Sequence, residues 1–172
     1  MKKMVALILL AGLAFSATAG AELKIGYVDV RRVLIESNAG KQFQAAAEKA
    51  GKEKQGMFAA EEKKLQALKE TYEKDQLTYT EAQKRSKQRD LQDKYQALQD
   101  SVSDTQKEFR QKEGEFTSKA LKDIRMAIAD VAKEEKTTLV LGKDEMSVLY
   151  SEEGMDLTAK VLQKYNTKFP VK

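Results

Sequence analysis

The chain has 172 residues, of which 34% are charged, and 31 Lys and Arg against 27 Asp and Glu residues give a formal net charge of +4. This mixed charge argues against dedicated nucleic-acid binding, which requires a clustered basic excess. The absence of His and Cys excludes imidazole acid–base catalysis, thiol chemistry and disulfide bonds. No pattern in the chain predicts a catalytic residue, a metal site or a cofactor.

The first 21 residues have the features of a secretory signal peptide. A Lys pair at positions 2 and 3 precedes the apolar run Met4–Phe15, which is shorter than the roughly 20 residues that cross a bilayer. The small-residue triplet Ala19-Gly20-Ala21 predicts cleavage between Ala21 and Glu22, with cleavage after Ala19 as the alternative. We therefore expect the mature protein in the bacterial periplasm.

Short elements follow the signal peptide. Residues 23–28 have strand-like composition, and Asp29 is placed to cap a short helix over residues 30–36. The run Ser37-Asn38-Ala39-Gly40 interrupts that helix.

Residues 41–136 predict a long helical hairpin, which we call the arm. The segment has no Pro and is rich in Ala, Leu, Lys, Glu, Gln and Arg. Apolar residues recur every seven positions in two runs, the pattern of an antiparallel coiled coil. The predicted seam consists of Phe58, Leu65, Leu68, Tyr72, Tyr79, Leu91, Tyr95, Leu98, Val102, Phe109 and Phe116.

The heptad phase breaks between Tyr79 and Leu91, which indicates that the two runs lie on different helices. Thr80 precedes Gln83 by three residues and Thr78 precedes Glu81 by three. Both are capping-box spacings that can begin a helix. We therefore predict a turn near residues 77–81.

The C-terminal segment predicts a small strand-containing unit. Residues 137–141 and 146–150 predict a β-hairpin with its turn at 142–145, and Asp156 is placed to cap a last helix from Leu157 to about Tyr165. With residues 22–40 this segment, 137–172, forms a β-containing body that is too small to sustain a core alone. Open strand edges and missing burial predict self-association through the body.

Three glycines and one basic cluster stand out in the arm. Gly51, Gly56 and Gly114 are predicted flexible points, because Gly weakens a helix interior. The basic cluster lies beside the predicted turn and consists of Lys84, Arg85, Lys87 and Arg89. A helix start favours acids, so the cluster is either a solvated helix start or a surface that attracts an anionic membrane or acidic client segments.

Two familiar sequence motifs are excluded, because the residues that follow their first positions do not match the motif. Gly51 and Gly56 have the glycine spacing of a phosphate loop, but Met57 and Phe58 stand where Lys and Ser or Thr are required. Leu91 and Leu98 suggest a basic zipper, but Thr105 takes the next position and ends it. We predict neither an enzyme nor a nucleic-acid partner.

Four motifs together carry a family resemblance. They are KIGYVDVRRVL at 24–34, SNAGK at 37–41, TTLVLGKDEMSVLYS at 137–151 and DLTAKVLQKYN at 156–166. In this order, with the signal peptide and the charged hairpin, the chain resembles the Skp (OmpH-like) family of periplasmic chaperones over essentially its whole mature length. The expected fold is mainly α with a small β body (α+β), in which a long antiparallel coiled-coil hairpin is inserted.

The resemblance implies a homotrimer whose bodies join in a β-barrel and whose arms surround a cavity. It also implies ATP-independent holding of unfolded outer-membrane β-barrel proteins, without a cofactor. Lipopolysaccharide binding is associated with the family, but no residues of this chain are assigned to it. The alternative function is a structural coiled-coil spacer or adaptor of the cell envelope with one fixed partner.

Overall fold

The structure is a computed structural model that describes residues 23–143, 148, 150–152 and 154–171. The predicted signal peptide, with its cleavage site at Ala21 and Glu22, lies outside the described residues. The elements are β1 (Ile25–Val28), α1 (Val30–Glu36), α2 (Asn38–Asp75), α3 (Glu81–Glu134), β2 (Leu139–Gly142) and α4 (Thr158–Lys168). The predicted class, a long helical hairpin with a small strand-containing body, is confirmed.

The arm is formed by α2 and α3, which contain 38 and 54 residues. At 1.5 Å per residue these helices extend about 57 and 81 Å. The predicted capping box at Thr80 is confirmed: the Gln83 N–H donates to Thr80 Oγ1 (3.3 Å), and the Thr80 N–H donates to Gln83 Oε1 (2.9 Å). The alternative start at Thr78 is not used, because the Thr78 hydroxyl donates back to the Asp75 carbonyl oxygen (2.7 Å). The turn therefore spans residues 76–80.

The interruption predicted at residues 37–40 is shorter than expected. Ser37 caps α2, since its Oγ accepts from the Gly40 N–H at 3.0 Å, and α2 begins at Asn38. A Cβ at Gly40 would lie 1.9 Å from the Leu34 carbonyl oxygen. The glycine therefore permits the close approach of α1 and α2. The predicted Asp29 cap of α1 is confirmed by a 2.8 Å bond from the Arg32 N–H to Asp29 Oδ1.

The sheet joins the two ends of the chain. β1 and β2 pair in parallel, with Ile25 opposite Leu139 and Val28 opposite Gly142. On the other side of β1, the Leu157 N–H donates to the Tyr27 carbonyl oxygen at 2.9 Å. Gly142 belongs to β2 and not to the predicted turn. Most of the second predicted hairpin strand lies outside the described residues, and neither Val148 nor Tyr150 is in a strand.

The core of the body includes the last part of α3. The buried cluster consists of Val28, Val33, Ile124, Ala127, Val131, Leu157, Val161 and Tyr165. The predicted arm boundary at residue 136 is therefore too late for α3. About four turns of this helix, from Ala120 onward, present a buried face to the body.

The last helix begins and ends near its predicted bounds. The Thr158 N–H donates to Asp156 Oδ1 at 2.8 Å, although Leu157 occupies the cap position itself. Burial alone would raise the pKa of the Asp156 carboxyl, but its hydrogen bonds from the Thr158 hydroxyl and N–H lower it overall. α4 continues to Lys168, three residues beyond the predicted end. Among the described helices, none is both long and apolar enough to cross a membrane.

Candidate functional site: the helical arm

The arm leaves most of its apolar seam accessible. Leu65 is 2% exposed, whereas Leu68 and Tyr95 are each 37% exposed. The remaining seam residues are half-buried: Phe58, Tyr72, Tyr79, Leu91, Leu98, Val102, Phe109 and Phe116. The two helices bury Leu65, but they leave part of every other seam side chain uncovered.

Phe43 is an arm residue that the heptad pattern misses. Its ring stacks on that of Phe116, with 4.3 Å between centroids and an angle of 4° between planes. The frame through Phe58 predicts seam positions at 44 and 51, so Phe43 lies one residue out of phase. Half-buried Ala47 and Ala50 continue from Phe43 at helical spacing. The short apolar run Phe43, Ala47 and Ala50, read without the heptad frame extended from Phe58, is the sequence signal that could have identified Phe43.

An apolar groove begins at this aromatic stack, where the arm meets the body. One part is lined by the side chains of Phe43, Ala46, Phe116, Tyr165, Phe169 and Val171. The groove continues along the arm past Ala50 to Phe109. Lys119 lines both parts, and its ammonium is held by the buried Asp123 in a hydrogen bond that raises the pKa of Lys119.

Aromatic residues are segregated along the arm. The half near the body carries Phe43, Phe58, Phe109 and Phe116, and the half near the turn carries Tyr72, Tyr79 and Tyr95. The aromatic side chains of the arm are therefore wholly apolar near the body and amphipathic near the tip.

The three predicted flexible glycines lie inside unbroken helix. Gly51 and Gly56 belong to α2 and Gly114 to α3, and a Cβ at any of them would meet nothing within 4 Å. No close packing requires glycine at these positions. The helical setting of Gly51 and Gly56 is also incompatible with a phosphate-binding loop.

The basic cluster at the tip is only partly free. Lys84 pairs with Glu81 at 2.9 Å, and the Lys87 ammonium lies 4.9 Å from the centre of the Tyr79 ring. Within the described part of the chain, Arg85 and Arg89 have no carboxylate within ion-pair distance and are exposed. Of the four predicted basic residues, only Lys84 is thus held in an ion pair within the described residues, while Lys87 contacts an aromatic ring.

The body presents an open strand edge. β2 pairs with β1 on one side, and no strand of the described ranges covers its other side. Leu139 and Leu141 are 44% and 46% exposed. Close to β2, the buried Thr137 Oγ1 has no hydrogen-bond partner among the described residues. An uncovered edge with exposed apolar side chains favours association with another strand.

Ion pairs fasten α4 to the end of α3, and we call this set the clasp. It consists of Lys160–Glu135, Lys164–Glu134 and Lys168–Asp130. Hydrogen bonds from the lysines lower the pKa of Glu135 and of Asp130, and the bond to Glu134 raises the pKa of Lys164. In the part of the chain that the structure describes, no group of acidic side chains is arranged to hold a metal ion.

Comparison with known proteins agrees with this architecture. The family model described as outer membrane protein (OmpH-like) matches residues 24–165. The chain belongs to the OmpH-like family. The resemblance found in the sequence motifs is thereby confirmed.

A solved structure extends the agreement to the fold of this OmpH-like chain. It comes from Caulobacter crescentus CB15 and is described as a proposed outer membrane chaperone (OmpH-like). The two chains are 20% identical, the TM-score is 0.80, and the match covers 93% of this chain and 94% of that chain. At this identity the likeness establishes a shared fold. No curated protein matches the chain in a sequence comparison.

Proposed function

We propose that the protein is a periplasmic holdase chaperone, which binds unfolded outer-membrane β-barrel proteins between its arms without ATP. Membership of the OmpH-like family and the fold shared with a proposed outer membrane chaperone support this function. The observation that carries the proposal is the incomplete burial of the arm's apolar side chains.

A holdase must cover apolar segments of a client and still release them. Half-buried rings such as Phe58 and Phe109 can each gain only part of the roughly 1.5–3 kcal/mol that full burial of such a side chain supplies. Many weak contacts therefore add up without one dominant anchor. Met57, which is 62% exposed, adds a flexible side chain that adapts to varied partners.

Binding alone is sufficient for this task. A protein that binds the unfolded client in preference to the folded one lowers the concentration of free unfolded chains and so slows their aggregation. No nucleotide step is needed for this equilibrium. Folding of the client into a bilayer, where the arms no longer compete, would release it.

The proposed assembly is a homotrimer joined through the bodies. Support for this assembly comes from the edge of β2 that no described strand covers and from the exposed Leu139 and Leu141, because strand pairing between copies would cover both. Three arms of about 57 Å would then extend from one side and surround a cavity.

Dilution of a urea-unfolded outer-membrane barrel protein into buffer containing the mature chain tests the proposal. We expect suppressed light scattering and a soluble complex of one client and three chains, formed without nucleotide. Aggregation as fast as in buffer alone, with the added protein folded and trimeric, would contradict the proposal and favour the envelope spacer.

A matched pair of variants locates the binding surface. Tyr95→Ser removes an exposed ring from the arm, and Tyr150→Ser removes a ring that is 84% exposed on the body. We expect only Tyr95→Ser to weaken client capture. Equal capture by the two variants would argue against the arm as the binding surface.

A further inference from the structure

The C-terminal segment of the chain forms one wall of the apolar groove where the arm meets the body. Residues 169–171, with the sequence Phe-Pro-Val, follow the end of α4 and lie outside helix and strand, and we call them the tail. All three line the part of the groove that contains the stack of Phe43 on Phe116. The tail thus places two apolar side chains, separated by one residue, at the body end of the groove.

The tail is held more loosely than the helices that form the other walls. The Phe169 N–H donates to the Tyr165 carbonyl oxygen at 2.9 Å. Pro170 has no N–H to donate, and Val171 makes no hydrogen bond with another residue in the described part of the chain. Val171 is also 39% exposed. Beyond Phe169 the tail is therefore held by side-chain packing, and it can move without the loss of a described hydrogen bond.

The helix that precedes the tail is fixed to the body. Lys168 pairs with Asp130 in the clasp, and Tyr165 is 3% exposed within the core. The Phe169 ring lies against Tyr165, with 5.5 Å between the two ring centroids. The boundary between a fixed helix and a displaceable segment thus falls at Phe169.

The charged side chains that line the groove have partners within the chain. Lys112 pairs with Glu108 at 2.7 Å, and Lys119 is held by Asp123. Glu115 Oε1 accepts from a side-chain amide of the preceding helical turn at 2.8 Å. Because an unpaired charge is costly to bury in an apolar site, the groove favours an uncharged apolar segment over a charged one.

Transmembrane β-strands have the side-chain pattern that fits this groove. Their apolar residues alternate with polar ones, so apolar side chains of one face recur about 6.6–6.8 Å apart. Between Phe43 and Ala50 the groove extends about 10 Å along α2, which accommodates two such side chains. Phe169 and Val171 have the same spacing of two residues, so the tail shares the apolar pattern of a barrel strand.

We propose that the tail is a built-in competitor of clients. It covers the body end of the groove in the free chain, and it leaves when an apolar strand segment of an unfolded outer-membrane protein binds there. This inference rests on the proposed holdase function. Because only the chains with a displaced tail can accept the segment, the tail weakens client binding at this site by the fraction of chains in that state. Return of the tail covers the groove again when the client leaves.

Trp fluorescence can follow the tail directly, because the chain contains no Trp. Phe169→Trp places one Trp at the start of the tail, and Tyr150→Trp places one at an exposed site of the body. The client is an unfolded barrel protein whose own Trp residues have been replaced by Phe. On capture we expect a red shift of the Phe169→Trp emission and no shift for Tyr150→Trp.

Two failures of this experiment are distinguishable. A blue shift or an unchanged spectrum of Phe169→Trp, with capture shown by suppressed light scattering, would overturn the tail as a competitor and leave the holdase function standing. Failure of the unmodified chain to capture the client would overturn the holdase function and this proposal with it.

Removal of the competing side chains should strengthen client binding. Phe169→Ser/Val171→Ser should lower the dissociation constant of the client complex about 3- to 10-fold, since the client no longer displaces a half-buried Phe. Tyr150→Ser, the matched control on the body, should leave this constant unchanged. Unchanged or weaker binding by the tail variant, with its helix content intact by circular dichroism, would overturn the proposal.

A second pair of variants tests the groove from the side of α2. Ala46→Trp fills the groove, because Ala46 lines both of its parts, whereas Ala45→Trp adds the same ring at an exposed position that does not line it. We expect weaker capture only for Ala46→Trp, and no further effect of the tail substitutions when they are combined with it. Equal capture by the two Trp variants would overturn the groove as the site shared by tail and client.

Discussion

The rings of Phe43 and Phe116 stack face to face with 4.3 Å between centroids, at the point where the two arm helices enter the body. This contact joins the first turns of α2 to the middle of α3. Below it lie the core and α4, and above it most seam residues are half-buried or exposed, with Leu65 as the buried exception. The stack therefore marks where a packed domain changes into an open arm.

We predict that Phe43 and Phe116 are energetically coupled. A double-mutant cycle with Phe43→Ala and Phe116→Ala, measured by urea unfolding, should give a coupling energy of about 0.5–1.5 kcal/mol. The coupling arises because either single substitution already abolishes the contact between the two rings, so the second substitution removes no further aromatic contact. Strictly additive effects would contradict a direct contact between the two rings. Phe43→Ala paired with the distant Tyr95→Ala is the control cycle and should be additive.

The arm glycines should be replaceable with a gain in stability. Ala at Gly51, Gly56 or Gly114 meets no neighbouring atom, and each substitution should raise the free energy of unfolding by about 0.5–1 kcal/mol. Hydrogen exchange should slow in the surrounding turns. If arm bending serves capture, the triple variant should also bind large clients less well than small ones.

Glycines of the body provide the opposite control. A Cβ at Gly26 would lie 2.6 Å from Leu157 Cδ1, and one at Gly40 would lie 1.9 Å from the Leu34 carbonyl oxygen. Gly26→Ala and Gly40→Ala should therefore destabilise the protein. Stabilisation by either would show that these contacts relax freely.

Lys136 is the one described non-glycine residue with a positive φ, 53°. It follows the end of α3, where the Thr137 N–H donates to the Ala132 carbonyl oxygen (2.8 Å) and the Lys136 N–H to that of Lys133 (3.2 Å). Glycine is preferred at this position of such a helix end. Lys136→Gly should stabilise the fold by about 1 kcal/mol in thermal unfolding. Lys133→Gly, inside the helix, should destabilise it by a similar amount.

The clasp predicts a dependence of stability on pH. The pKa values of Asp130 and Glu135 are lower in the folded chain because of their lysine partners. The folded state then binds fewer protons than the unfolded state, so this contribution is present above about pH 4–5 and is lost as the pH falls below it. The pKa of Lys164 is raised in the folded chain. Its contribution to stability is therefore present below about pH 10 and is lost at higher pH.

Asp130→Asn tests this dependence. The difference in stability between Asp130→Asn and the unmodified chain should be present at pH 7 and should shrink as the pH falls below the usual pKa range of an Asp carboxyl, because the lowered pKa of Asp130 makes protonation costly in the folded state. Asp93→Asn, an exposed acid of α3 outside the clasp, should show no such trend. If the difference in stability between Asp130→Asn and the unmodified chain stayed constant from pH 7 to pH 3, the clasp would not contribute to the loss of stability in acid.

Local chemistry determined much of this protein from its sequence. Helix periodicity, the absence of Pro and the two capping residues Asp29 and Thr80 predicted the helices and the turn, because caps and propensities act within a few residues. The family motifs carried the general architecture. Phe43 shows the limit of this reasoning. A heptad frame extended from Phe58 assumes that the seven-residue spacing continues unchanged along α2, but Phe43 lies one residue out of phase with it.

The tertiary structure decided the relationships between distant residues. The parallel pairing of Ile25 with Leu139 crosses the whole arm, and nothing in either strand specifies its partner or direction. The burial of Ile124 and Val131 in the body, rather than in the arm, follows from the docking of α4. Helix caps and helix propensities depend on neighbouring residues, so they can be predicted from the sequence. Contacts between distant residues depend on how the folded helices and strands pack together.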